Sequence, residues 1–96
     1  MAIVTISGTV TNEATNAPLS GATIKLYDLM PSPTELKDTD TSDSNGNYEV
    51  SGDVQTGANG QGSYKIIARK DGFESESRNK NAIRDWTINF EMTKEL

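Results

Sequence analysis

The chain has 96 residues, 33% of them hydrophobic, with 14 acidic and 9 basic side chains and a formal net charge of −5. That length predicts one domain, residues 1–96, with a modest core and little apolar material to spare. Histidine and cysteine are both absent, which excludes disulfides, thiolate or histidine metal sites, Ser-His-Asp catalysis and general-base roles that need a group titrating near neutrality.

Ile3 to Thr11 alternates, with Val4, Ile6 and Val10 on one face and Thr5, Ser7 and Thr9 on the other, and predicts a half-buried strand. Gly8 falls at the core parity, where a glycine marks a bulge or the close approach of another strand. Thr11 to Ser20, rich in Asn and Thr and carrying Pro18, reads as a turn region. Gly21 opens a second strand in which Ala22, Ile24 and Leu26 alternate with Thr23, Lys25 and Tyr27. Met30-Pro31-Ser32-Pro33 cannot lie in a central strand, because the prolines remove two ladder donors, so Met30–Thr34 is a connection. Glu35 to Ser42 is extended but weakly apolar, the mark of an edge strand guarded by charge. Asn45-Gly46 suits a type I′ turn, whose central residues need positive φ, and predicts a β-hairpin into the strand Asn47–Ser51.

Ser51 to Gly62 contains four glycines and reads as a long mobile loop anchored by Val54. Ser63 to Lys70 is the best core strand, with Tyr64, Ile66 and Ala68 inward and Ile67 on the opposite face. Asp71-Gly72 turns the chain into a short strand, Phe73–Arg78, followed by a polar break at Asn79–Asn81. The final strand runs from Ile83 to Met92, with Trp86, Ile88, Phe90 and Met92 in alternation. No window carries a helical period over three turns. Seven short strands separated by turn signals indicate an all-β sandwich.

Charge is uneven along the chain. Before Gly60, eight acids face only Lys25 and Lys37; after it, Lys65, Arg69, Lys70, Arg78, Lys80, Arg84 and Lys94 slightly outnumber the acids. Head-to-tail contacts between copies would use such asymmetry, while a mixed, soluble surface accounts for it more simply. The net negative charge argues against sequence-independent nucleic-acid binding, in which phosphate neutralisation dominates. No segment approaches the length of a transmembrane helix, and Met1-Ala2-Ile3-Val4-Thr5 lacks the basic start and long apolar core of a signal peptide.

The ordered set Ile6-x-Gly8-x-Val10, Pro18-Leu19-x-Gly21-Ala22-x-Ile24, Thr41-x-Asp43-x-Asn45-Gly46-x-Tyr48, Gly62-x-Tyr64 and Gly72-Phe73 resembles the carboxypeptidase regulatory-like domain family. The resemblance extends from Ile6 to Met92. It implies a seven-stranded, transthyretin-like sandwich of the immunoglobulin-like, Greek-key kind, and a noncatalytic module beside enzyme domains, in receptor N-termini or in cell-surface proteins. The quoted positions define a backbone rather than a site. Gly52–Gln61 looks like an enlargement of a link that is short in the family, and long loops in compact domains are often functional. The transthyretin-like hydroxyisourate hydrolase is similar in fold, but it depends on histidines and a C-terminal motif that the ending Met92-Thr93-Lys94-Glu95-Leu96 does not carry.

The expected function is a noncatalytic structural or interaction module, in a cell-surface, secreted or virion assembly or as an accessory domain of a larger protein. Its expected partner is another protein or a neighbouring domain, without a cofactor, and open edge strands give a route to homo-oligomers. An extracellular or cell-surface setting is the expectation for an excised module. Tyr27, Val54, Gln55, Asn59 and Gln61 are the candidate contact residues. The competing reading is a carbohydrate- or calcium-dependent binding module. Asp38, Asp40 and Asp53 offer the oxygen ligands that calcium takes, although in an EF-hand register Thr41 falls first and Gly52 falls where the bidentate glutamate belongs. A solvated acidic edge accounts for the same residues. Tyr27, Tyr64 and Trp86 are the candidates for a sugar-stacking platform, with Tyr27 the one that alternates away from a core face. Lys25, Asn89 and Glu49 hold the chemistry of a self-formed isopeptide, but their parity points each of them to solvent.

Overall fold

The computed structural model describes residues 2–30, 34–57 and 60–95. They form eight strands: β1 (Ala2–Asn12), β2 (Thr23–Asp28), β3 (Glu35–Thr41), β4 (Asn47–Val54), β5 (Tyr64–Arg69), β6 (Glu76–Lys80), β7 (Trp86–Thr87) and β8 (Phe90–Met92). One sheet has the order β4-β1-β7, with β8 also on β1; the other has the order β3-β2-β5-β6. The chain is therefore an all-β sandwich. The alternation seen in the sequence sorts directly into its two sides. Val4, Ile6, Val10, Val50, Val54, Phe90 and Met92 from the first sheet meet Ala22, Ile24, Leu26, Tyr64, Ile66 and Ala68 from the second, all fully buried.

The turn at Asp43–Asn47 is not the hairpin that its Asn-Gly pair suggests. β3 pairs with β2, whereas β4 pairs with β1, so the turn carries the chain from one sheet to the other. Gly46 alone takes a positive φ, 78°, and Asn45 does not. The Gly46 N–H donates to the Asp43 carbonyl and the Asp43 N–H to the Asn47 carbonyl, the pattern of a type I turn followed by one left-handed residue. The Asp43 carboxylate holds this form by accepting from the N–H groups of Asn45 and Asn47, both at 2.9 Å.

The final strand also departs from expectation, and this raises the count from seven to eight. β7 and β8 both run parallel to β1, at Ile6–Ser7 and at Val10–Asn12; between them the Ile88 N–H still donates to the Ser7 carbonyl at 2.8 Å, and the ladder breaks at the Ile88 carbonyl and Asn89. The Ile88 carbonyl turns inward and accepts the Tyr48 hydroxyl at 2.6 Å. Asn89 supplies the missing acceptor, its Oδ1 taking the Thr9 N–H at 3.0 Å. A side chain at position 8 would obstruct this arrangement, since a Cβ there would lie 1.9 Å from the Ile88 oxygen. The glycine at core parity thus marks the close approach of another strand, as its position in the sequence predicts.

Two outcomes test this arrangement. Gly8→Ala forces backbone apart from backbone and lowers stability by about 3 kcal/mol, read as a lower urea midpoint. Burial pushes the Tyr48 hydroxyl far above its ordinary value of 10.0, with nearby Arg78 opposing, and burial likewise raises Tyr64. An acid with a raised pKa stays protonated in the fold while the unfolded chain ionises, so its contribution is complete below about pH 10 and declines as pH climbs beyond it. The urea midpoint is expected to fall in alkali, with a shallower fall in Tyr48→Phe.

Candidate interaction surfaces

Because β3 and β4 lie in different sheets, the N–H groups on the free edge of β4 face no strand. Aspartates take that role. On β3, Asp38 and Asp40 stand opposite the inward-facing Leu26 and Ile24 and therefore point to the interior side. Asp38 Oδ2 accepts the Ser51 N–H at 2.9 Å, and Asp40 Oδ2 accepts that of Glu49 at 2.7 Å. Their second oxygens take the N–H groups of Thr39 and Thr41, each at 2.8 Å. At the end of β2 the fully buried Asp28 accepts from Gln55 at 2.9 Å and from Met30 at 3.1 Å. With Asp43 at the turn, four carboxylates serve Asn47, Glu49, Ser51 and Gln55 along one edge. A register shift beside Leu26 and Tyr27 accompanies Lys37, whose Cβ occupies the space above Gly52. The Lys37 ammonium pairs with Glu35, and that hydrogen bond raises its pKa.

The opposite side of the sandwich is closed by cations. Arg78 and Lys80 on β6 pair with the inward-facing Ile66 and Tyr64. The Arg78 guanidinium lies 5.3 Å from the Phe90 ring centroid, while Lys80 Nζ and the Arg84 guanidinium lie 4.2 and 4.0 Å from that of Trp86. Such contacts contribute about 0.5–1 kcal/mol each where water has access. Trp86 Nε1 donates to the Tyr64 hydroxyl at 2.8 Å, and that hydroxyl donates to the Ala82 carbonyl. Inward-pointing charge of this kind protects an edge strand such as β6 against addition of a foreign strand.

The residues singled out from the sequence fall in several places. Tyr27 is half-buried on the outer face of its sheet, between Leu36 and Lys65. Val54 is fully buried at the end of β4 and is a core residue rather than a contact residue, because the strand and its inward parity continue three residues beyond Ser51. Gln55 and Gln61 are exposed, with the Gly57 N–H donating to the Gln61 carbonyl at 2.6 Å. Asn59 lies outside the described residues, as do residues 31–33 of the Met30–Thr34 connection. Asp38 and Asp40 share the seam, but Asp53 stands on the outer face of β4 opposite Ile3. Among the described residues no group of three or more His, Cys, Asp or Glu is arranged to hold a metal ion. Tyr64 and Trp86 are engaged in the closure above, and Lys25 lies in the sheet opposite to Glu49, with Asn89 committed to Thr9. An open, polar groove of about 540 Å³ lies at one end of the sandwich, between Gly21, Thr23, Arg69, Lys70 and Glu95. The sequence offers Asp38 and Asp40 as calcium ligands or as a solvated acidic edge and gives no role to Asp28, or to Asp85, which accepts the Thr5 N–H at 3.0 Å. The alternation Asp38-Thr39-Asp40-Thr41 was the available signal, since it places both acids on one face of a strand.

Asp28→Ala strips acceptors from two N–H groups in a buried setting and is expected to cost about 2 kcal/mol, whereas Asp40→Ala at the exposed seam costs about 1 kcal/mol. Amide exchange quickens at Gln55 in the first variant and at Glu49 in the second. Millimolar calcium leaves the wild-type Tm unchanged, because the oxygens it would need on Asp38 and Asp40 already accept backbone hydrogen bonds; a rise in Tm would show that the seam opens to bind it.

The fold is shared with several solved structures. The C-terminal domain of the shaft pilin SpaA from Lactobacillus rhamnosus GG superposes with a TM-score of 0.62 at 12% identity, over 99% of this chain and 100% of that one. The 3-chlorocatechol 1,2-dioxygenase of Rhodococcus opacus gives 0.65 at 13% identity, over 98% of this chain, which spans 61% of the enzyme. A minor pilin of Streptococcus agalactiae gives 0.56 at 15%, over 99% of this chain and 45% of that one. No curated protein matches the sequence. The profile of the carboxypeptidase regulatory-like domain matches residues 5–93, taking in the Gly46-x-Tyr48 turn, the Gly62-x-Tyr64 strand and the Gly8 close approach, and the chain belongs to that family.

Proposed function

We propose that residues 1–96 act as one noncatalytic structural and interaction module, within a surface or secreted assembly or beside a tethered enzyme. One observation carries this reading. Among the described residues no buried side-chain nitrogen or oxygen lacks a hydrogen-bond partner. Asp28, Ser42, Tyr48 and Tyr64 each bind backbone groups, so the interior polarity is consumed in holding strands together. A catalytic site instead keeps polar groups aimed at the place where a substrate will sit. Likeness to pilin domains supports a building-block role, and the dioxygenase shows that the same fold also occurs in enzymes. Contact then falls to the outer sheet faces and to the loop that follows β4.

Cross-linking in the source cells, followed by mass spectrometry, is expected to recover the domain joined to a protein partner or to a covalent neighbour through Tyr27, Gln55 or Gln61. Turnover of a small substrate that is lost on changing Arg69 and Lys70 in the end groove would overturn the noncatalytic reading. Glycan binding abolished by Tyr27→Ala would replace it with a carbohydrate-binding one.

A further inference from the structure

The two outer faces of the sandwich carry opposite charge, in a chain whose net charge is −5. Along β1 and β4 the outward residues are Ile3, Thr5, Ser7 and Thr9 against Asp53, Ser51, Glu49 and Asn47, and β8 adds Glu91 beside Thr11. Among the described residues, the strands of this face turn Glu49, Asp53 and Glu91 outward and no lysine or arginine. The opposite face reverses the sign. There the outward positions of β2 and β5 hold Lys25, Lys65 and Arg69, with Thr39, Thr41, Ser77 and Asn79 around them and no acid at an outward position of the described strands. Each face also exposes apolar surface: Ile3 is 71% accessible on the acidic side, and Leu36, beside Tyr27, is 48% accessible on the basic side.

We propose that the partner of each face is the opposite face of a second copy of this chain, so that copies stack head to tail through their sheet surfaces. This rests on the reading of the domain as an interaction module and names its partner. Complementary sign favours the acidic-to-basic contact and penalises acidic-to-acidic and basic-to-basic ones, which makes the association heterologous and open-ended rather than a closed pair. Its strength is bounded by area. Four strands of about six residues cover roughly 19 by 20 Å, on the order of 400 Å² per partner. Stable complexes bury about 800 Å² per partner, so free copies associate weakly and transiently, held mainly by charge. The edges offer a poorer route, since aspartates occupy the free N–H groups of β4 and inward charges line β6.

Light scattering of the wild-type chain at about 0.01 M salt, where the Debye length is about 30 Å, is expected to show a mass that climbs above the monomer's 10.4 kDa as concentration approaches about 1 mM. At about 1 M salt the association weakens at least tenfold, an order-of-magnitude expectation for contacts held by exposed charge. The double variants Lys25→Glu with Lys65→Glu, and Glu49→Lys with Asp53→Lys, are each expected to stay monomeric alone and to associate when mixed. Circular dichroism checks their folding, and the wild-type salt series stands without them. A wild type that remains monomeric at low salt overturns the proposal, as does association that survives high salt or the charge reversals, which would indicate edge pairing. Binding of a heparin fragment by Lys25 and Lys65 in a protein that stays monomeric would assign the basic face to a polyanion instead. Monomeric behaviour leaves the module reading intact, because that reading is decided by cross-linking to other proteins.

Discussion

A backbone N–H on the border of a sandwich strand needs an acceptor wherever packing keeps water from it, and where the chain changes sheet no neighbouring strand supplies one. This domain meets that constraint with side chains. Asp28, Asp38, Asp40 and Asp43 line one seam, while Asp85 and Asn89 do the same for Thr5 and Thr9 on the far side of β1. The low apolar content of β3 follows from this role. An inward Val at position 38 or 40 would add buried area but leave a β4 N–H without an acceptor, a loss of the same order as the gain. Acidic residues that look like surface solvation are therefore part of the framework, and the negative net charge is partly a record of how many strand borders had to be closed.

Two Gly-x-Tyr segments solve a second problem. The segment from Ala82 to Met92 meets β1 through two short parallel pairings and the side chains of Asp85 and Asn89, and it is anchored from both sheets as well. Tyr48, after Gly46, reaches the Ile88 carbonyl from the first sheet; Tyr64, after Gly62, reaches the Ala82 carbonyl and Trp86 from the second. The glycines make room. A Cβ at Gly46 would lie 2.5 Å from the Val10 carbonyl, and one at Gly62 would lie 2.7 Å from Ile83 Cδ1. Tyr48 also meets Phe90 at 5.9 Å between ring centroids, in a tilted arrangement. The two Gly-x-Tyr motifs are thus places where a side chain has no room on the glycine and a phenol two residues on can span the gap.

Much of this was legible in the residues. Alternation in β1, β2 and β5 identified the inward sets, and Gly8 at core parity offered a bulge or a close approach, of which the structure shows the second. What misled was local chemistry read without its sheet partner. Asn45-Gly46 fits a hairpin, yet pairing of β3 with β2 and of β4 with β1 turns the same residues into a sheet-crossing corner, because hydrogen-bonding partners far apart in sequence decide which sheet a strand joins. The break between β7 and β8 was equally hidden, since alternation of Trp86, Ile88, Phe90 and Met92 is the same whether or not the backbone leaves its ladder. Val54 was assigned to a loop because Gly52 and Asp53 before it carry little strand propensity; the strand continues there because β1 pairs it to its end.

The use of charge at the seams has a consequence for how the domain meets other molecules. Carboxylates hold one border and cations resting on aromatic rings hold the other, so the strand edges that sandwiches usually leave open for pairing are already engaged or guarded. What remains free is the outer surface of each sheet, rich in Thr and Ser and sorted by sign. Such surfaces carry little apolar area for tight binding, but they respond to the sign of whatever approaches and to the ionic strength around them. A domain built in this way holds its own strands firmly while its contacts stay weak one by one, and it gains strength chiefly when several are made at once.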